Sequence, residues 1–348
     1  MSKKTRVLLT GSTGFLGKRL LETLVGDSRV QSIDVISRRK LYHPSDKVKV
    51  HQIDLADPSC VPALGTLVAE NDAVVHLAGL YDFSAGYSSN YQNNVLPAMH
   101  LVQAFDRDLR KKTKPIFFAS TFAVGLGTGL PLNEGPLTKL APKSFAYSHT
   151  KGLAERVLTD SGLTTYIFRL GALSGSPKDG LIEKIDGPYF LLKVLRQVSK
   201  FPGTRFLPHI PVLADPNGAI PLLPVDCAAS IFHAALFHPQ LAELKQGHFG
   251  AFETNCVNLR EICEAAVSHF FPKSRAFFVT SLPKQFSMLE KLMTRGSAEI
   301  FEFSLKPVSV KNELFQKYFS EIEIPAFETY REVFFTGFEN YHEDKKPC

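Results

Sequence analysis

The octapeptide Thr10-Gly11-Ser12-Thr13-Gly14-Phe15-Leu16-Gly17 follows directly on the apolar run Val7-Leu8-Leu9 and opens an apolar stripe at helical spacing, Leu20, Leu21 and Leu24. An apolar run without polar alternation suits a parallel strand buried on both faces, and the stripe marks an amphipathic helix. Strand, glycine turn and helix in that order form a dinucleotide-binding unit. A pyrophosphate must approach backbone amides at a helix N-terminus, where a Cβ would collide and the helix dipole favours negative charge. Gly11, Gly14 and Gly17, with Thr13, Phe15 and Leu16 between them, are therefore the expected cradle.

More strands follow at the spacing of alternating β and α units. One near Ile33 to Ser37 ends in Arg38-Arg39-Lys40, where a binder of an unphosphorylated ribose would carry an acidic residue. Asp34 stands too early for that role, so the expected cofactor is NADP(H), with Arg38 on its 2'-phosphate. Val48 to Ile53 leads to Asp54-Leu55 and Ala73 to Leu77 leads to Ala78-Gly79, and strand ends are where an open sheet binds ligands. Leu77, Ala78, Gly79, Asp54 and Leu55 are expected along the cofactor groove, although an Asp after a strand also serves as a turn or helix cap. His76 reads as a core histidine.

A fifth strand, Ile116 to Ala119, ends in Ser120-Thr121, and a later helix start carries Tyr147 and Lys151. Four residues apart on a helix, the two side chains share a face, so an ammonium stands beside a phenol and stabilises its ionised form. A tyrosine working near neutral pH needs a shift of about three units from its ordinary value near 10, or roughly 4 kcal/mol. Ser120 is placed to donate to a substrate carbonyl oxygen as hydride arrives.

Composition narrows the class. At about 150 residues per domain, 348 residues allow two domains or one large one. A net charge of +6 without a run of like charges gives no reason to expect a nucleic-acid partner. Five cysteines without a CxxC spacing argue against zinc or a disulfide framework and for a reducing compartment. The start MSKKTRVLLTG has too short an apolar stretch for an export signal, and Pro115 to Asn133, the longest uncharged stretch, is broken by Pro and Gly, so a cytoplasmic protein is expected.

TGSTGFLG, the strand-end serine and YSHTK together resemble the extended short-chain dehydrogenase/reductase superfamily over most of the chain. HLAGLYD (76–82), KIDGPYFLLK (184–193) and LLPVD (222–226) look more narrowly like its bacterial fatty acyl-CoA reductase and thioester-reductase branch. The resemblance implies an α/β fold: a Rossmann doubly wound parallel sheet with a smaller C-terminal α+β substrate-binding region. It also implies Tyr147, Lys151 and Ser120 as catalytic residues, NADPH as reductant, and an acyl thioester or long-chain aldehyde as substrate, free or on an acyl-carrier protein. Asn94 occupies the position of the family's active-site asparagine, but Pro97-Ala98 replace the usual Gly-Thr, a change expected to reshape helix packing.

The expected division is a cofactor domain over 1–165 and a substrate region over 166–348, with returns to the sheet near 166–175 and 222–236. Sixteen of the 28 Phe fall from Phe237 onward, and Phe270, Phe271, Phe277 and Phe278 fit a subdomain core or an acyl pocket. Asp186 to Tyr189 reads equally as an acyl entrance or as a turn before a helix. Gln285 to Arg295 has an amphipathic pattern suited to a lid or to peripheral membrane contact. A homodimer stays open. So do two other functions: a sugar-nucleotide or sterol-alcohol enzyme of the same superfamily, and an NADP-sensing protein without turnover.

Overall fold

The computed structural model describes residues 4–106, 114–185, 187–252, 256–280 and 309–341. Along the first half run β1 (Thr5–Thr10), α1 (Phe15–Gly26), β2 (Val30–Ser37), β3 (Val48–Gln52), α2 (Val61–Glu70), β4 (Ala73–His76), α3 (Tyr87–Asn90), α4 (Leu96–Asp106), β5 (Ile116–Thr121), α5 (Ala146–Asp160) and β6 (Thr165–Leu170). The second half adds β7 (Ala172–Ser174), α6 (Tyr189–Val198), β8 (His209–Leu213), β9 (Ala219–Ile220), β10 (Leu222–Pro224), α7 (Val225–Phe237), β11 (Gln246–Ala251), β12 (Val257–Asn258), α8 (Leu259–Phe270), β13 (Arg275–Val279), α9 (Glu313–Phe319) and α10 (Phe327–Asn340).

Seven strands form one sheet in the order β11-β6-β5-β4-β1-β2-β3, every pair parallel. This is the doubly wound Rossmann arrangement, and its strand order reverses between β1 and β4, where such sheets bind ligands at their carboxyl ends. Alternate side chains of each central strand feed opposite cores. Val7 and Leu9 face α1, α7 and α9, while Leu8 and Val74 face α2, α4 and α5. Both layers being apolar explains why β1, β4 and β5 read as continuous apolar runs.

A third core lies in the second half of the chain, where α6, α8 and α10 pack with β8 and β10. Phe271 is buried there and Phe270 and Phe278 pack against it, whereas Phe277 is 57% exposed. These four rings thus go to the subdomain core and surface. Helix α10 closes on the loop after β7: a Cβ on Gly337 would fall 1.9 Å from the Gly180 carbonyl oxygen, so the contact is backbone on backbone. Asp186 and Gln285 to Arg295 lie outside the described residues.

Candidate active site

The carboxyl ends of β1, β4 and β5 open onto a cavity of about 740 Å³. Gly11, Thr13, Gly14, Phe15, Leu16 and Gly17 form its first wall. Gly11 sits at φ +76°, and a Cβ there would meet the Ala78 amide nitrogen at 2.5 Å. A Cβ on Gly17 would lie 2.0 Å from the Gly11 oxygen, so this glycine lets α1 start against the turn. A Cβ on Gly14 would meet only the Gly11 oxygen, at 3.4 Å, and would otherwise project into the open cavity. The first turn of α1 has neither an acidic residue nor a side-chain cap, so its amides and dipole face the cavity uncompensated. These residues fit the pyrophosphate of a nicotinamide dinucleotide.

Leu77 and Gly79 continue the wall. The amide of Ala78 donates to Thr10 Oγ1 at 3.2 Å, locking the end of β4 to that of β1. Arg38, Asp54, Leu55 and Ala78 are not among the residues lining the cavity. Arg38 is exposed just after β2 and donates from Nη1 to Asn93 Oδ1 at 3.2 Å. Asp54 accepts the Ala56 amide at 3.0 Å in a turn, and Leu55 is buried, its carbonyl accepting from His100 Nδ1 at 2.8 Å.

Tyr147 and Lys151 stand together on the cavity side of α5. The Tyr147 ring is gripped edge-on by Tyr81 at 5.1 Å and Phe83 at 5.0 Å, both from the loop after β4. Lys184 secures that loop by donating to the Tyr81 carbonyl at 2.7 Å. Lys151 is buried. Its ammonium donates to the Ala119 carbonyl at 2.6 Å and lies 4.2 Å from the centre of the Phe118 ring. Burial lowers its pKa to about 8, against the opposing pull of Glu155. Protonated Lys151 is the form able to stabilise a phenolate, so turnover that uses Tyr147 as proton donor is expected to fall as pH rises through about 8. A pH profile of kcat with its alkaline limb there checks this; a profile flat to pH 10 contradicts it.

His76 is the core histidine expected. It forms a 2.7 Å hydrogen bond through Nδ1 with Thr10 Oγ1 and stacks on Phe118 at 5.5 Å. Burial first, then the nearby Lys151 charge, lower its pKa to about 3, so it stays neutral.

Asn94 and Ser120 also line the cavity, but both have protein partners. Asn94 accepts the Leu80 amide at 2.8 Å and donates to the Leu80 carbonyl, Asn90 and Thr150 at 3.2 to 3.3 Å, tying the loop after β4 to α5. It belongs to a π-helical stretch, Tyr91–Val95, just before Pro97. Proline has no N–H for the helical ladder, so the widened turn accommodates the departure seen in the sequence.

The Ser120 hydroxyl donates to Glu155 Oε1, a bond that uses its only hydrogen. Glu155 in turn receives Arg169 Nη2 at 2.8 Å, and both ionic side chains are 2% exposed. The neighbouring Thr121 was not singled out from the sequence. It lines the same cavity, and its Oγ1 accepts the Ala123 amide at 3.2 Å, which leaves its own hydrogen to donate. A strand ending in two hydroxyl residues was the available signal, since successive side chains face opposite sides of a sheet.

The remaining walls come from the second half of the chain and include Gly187, Pro188, Phe190 and Leu191. Gly187 and Pro188 lead into α6, which starts at Tyr189, and they border the cavity as well. At the rim Lys18 of α1 and Glu183 pair at 2.9 Å. Among the described residues no cluster of His, Cys, Asp or Glu suits a metal ion, and no helix is long and apolar enough to cross a membrane.

Residues 9–232 match the family described as male sterility protein. The hybrid PKS-NRPS synthetase pydA of an Acremonium species is 29% identical over 220 residues, 58% of this chain. Fusarin C synthetase of Gibberella moniliformis is 24% identical over 327 residues, 84% of this chain. The chain spans 5% of the length of the first of these relatives and 8% of the second. Among solved structures, the terminal R domain from the myxalamid PKS-NRPS biosynthetic pathway superposes with a TM-score of 0.73 at 18% identity, covering 97% of this chain and 91% of that one. The UDP-Glc/GlcNAc 4-epimerase of Campylobacter jejuni gives a TM-score of 0.67 at 16% identity, covering 96% and 98%. With its Rossmann sheet, glycine cradle and family match over 9–232, the chain belongs to the male sterility protein family of NAD(P)-dependent oxidoreductases, of the extended short-chain dehydrogenase/reductase type.

Proposed function

We propose that the protein is an NADPH-dependent reductase of acyl thioesters, carried on coenzyme A or on an acyl-carrier protein, or of the corresponding long-chain aldehydes. The observation that carries this reading is one cavity with Tyr147 and Lys151 on one wall, a glycine cradle beside them and mostly apolar side chains opposite. A bound nicotinamide supplies the hydride. Tyr147 gives its proton to the substrate oxygen, and Lys151, held by the Ala119 carbonyl, stabilises the phenolate left behind. The oxygen also takes a bond from the end of β5: Thr121 has its hydrogen to give, whereas Ser120, the donor the sequence suggests, must first turn its hydroxyl away from Glu155. With a thioester, hydride on the carbonyl carbon and the Tyr147 proton on its oxygen would give a hemithioacetal; as the carbon–sulfur bond breaks the hydroxyl releases that proton, the thiolate takes it up, and aldehyde and thiol result. In this reading residues 1–165 hold the cofactor and 166–348 supply the substrate walls.

A sugar nucleotide is the weaker candidate, because its sugar calls for hydrogen-bonding side chains where the cavity wall carries Leu191, Val194, Val212, Leu259 and Ile262. The test is NADPH consumption with a panel of acyl-CoA esters, matching aldehydes and uridine diphosphate sugars. Consumption with esters or aldehydes supports the reading; silence there, with uridine diphosphate binding, replaces it.

Arg38 carries the cofactor preference. Charge-assisted bonds of its guanidinium to a 2'-phosphate contribute about 1.5 to 3 kcal/mol, so Arg38→Gln is expected to cut the NADPH over NADH preference by roughly tenfold or more. The ratio of the two kcat/KM values measures this, and an unchanged ratio removes Arg38 from the role.

A further inference from the structure

Beyond Tyr147 the cavity runs into the substrate-side core. Its far walls include Leu191 and Val194 of α6, Val212 of β8, and Leu259, Ile262 and Cys263 of α8. No charged side chain stands among these six. On α8, Leu259, Ile262, Cys263 and Ala266 recur at positions i, i+3, i+4 and i+7, the helix's buried stripe. Val267 completes the stripe. Of the three α8 residues that line the cavity, Cys263 has a smaller side chain than Leu259 or Ile262, and α6 packs against this helix.

The thiol itself has no reactive part to play. Cys263 is 3% exposed, and burial pushes its pKa up to about 12, so the thiolate needed for nucleophilic attack is absent at neutral pH. A neutral buried thiol behaves as a small apolar side chain. What the position contributes is room.

We infer that the space between α6 and α8 seats the apolar tail of the substrate, and that Cys263 at its wall sets the longest tail that fits. The inference rests on the acyl-substrate reading above and names the part of the site that discriminates among acyl groups. Filling the space with methylene groups should raise affinity roughly fourfold for each one buried, until the chain meets the wall.

The test is equilibrium binding, with NADP⁺ saturating, of straight-chain primary amides lengthened one carbon at a time; these carry the carbonyl and tail but do not react. Affinity is expected to climb roughly fourfold per carbon and then level off. Cys263→Phe should bring the levelling point in by two or more carbons, and Cys263→Ala should move it outward. Retained NADP⁺ binding and thermal melting confirm that Cys263→Phe has folded; if it has not, Cys263→Ala decides alone. A levelling point at the same carbon in the folded variants, or no gain per carbon in the wild type, overturns the inference. Acyl-CoA turnover with an unmoved levelling point leaves the reductase reading standing and removes the tail seat. A moved levelling point without acyl-CoA turnover does the reverse.

Discussion

Replacing Tyr147 with Phe is expected to lower thioester or aldehyde reduction by about 10³-fold, within the range that a positioned general acid contributes. NADPH binding should be largely preserved. The substitution removes one oxygen and keeps the ring that Tyr81 and Phe83 grip edge-on at 5.1 and 5.0 Å, so the wall of the cavity keeps its shape. Loss in kcat with little change in cofactor affinity is the signature of an interaction made only in the transition state. Single-turnover rates and NADPH fluorescence titration separate the two quantities. A variant that retains wild-type kcat would show that the proton comes from another group.

The largest effect on stability is expected at Arg169. Its guanidinium is buried between three anchors: Glu155 of α5, the Asn133 carbonyl at 2.6 Å and the Gly135 carbonyl at 2.8 Å. Arg169→Leu strands a buried carboxylate beside the Ser120 hydroxyl and frees the loop that carries Glu134. Removing one partner of a buried ion pair costs about 3 to 5 kcal/mol, because the other charge is left uncompensated in a low dielectric. The urea midpoint of unfolding should fall accordingly. Arg169→Leu combined with Glu155→Leu should recover part of the loss, since apolar replacement of both partners removes the stranded charge. A single variant as stable as the wild type would contradict the pair's place in the core.

The parts of the site legible in the sequence are those built from local pattern. The glycine turn, the ends of β4 and β5 and the i, i+4 pair of Tyr147 and Lys151 depend on neighbours within one turn or one strand, and the structure places them on one cavity, whereas Arg38 after β2 and Asp54-Leu55 after β3 stand off its wall. The buried set around Glu155 was not legible, because it joins β5, α5, β6 and the 133–135 loop across large sequence separations. Glu134 shows the same limit. Its carboxylate accepts the amides of Gly250, Leu314 and Phe315, so it ties the early loop to β11 and to the start of α9. Nothing in the local sequence sets an exposed loop glutamate apart from a buried one.

The fold follows the same division. Continuous apolar runs marked β1, β4 and β5 because a parallel sheet covered on both faces buries every side chain. The edge strand β11 carries two glycines and a histidine in Gln246-Gly247-His248-Phe249-Gly250-Ala251, and it escaped that pattern. Its pairing with β6 rests on backbone hydrogen bonds and on the Phe249 ring stacked on Phe168 at 5.1 Å. Among the described residues, the phenylalanines of the C-terminal part went mainly to packing, and the cavity took Phe15, Phe83, Phe122 and Phe190 from earlier in the chain. Which rings line a pocket depends on where the chain crosses the sheet ends, and composition carries no such information.

The central claim is hydride transfer from NADPH to an acyl carbonyl with Tyr147 as the proton source. Its most direct test supplies NADPH deuterated at the transferable position of the nicotinamide together with an acyl-CoA ester, and reads the product by mass spectrometry. One deuterium is expected on the aldehyde carbon that was the thioester carbonyl, with free coenzyme A formed in equal amount, and both products about 10³-fold slower in Tyr147→Phe. An aldehyde without label, or label that appears undiminished in the variant, would contradict it.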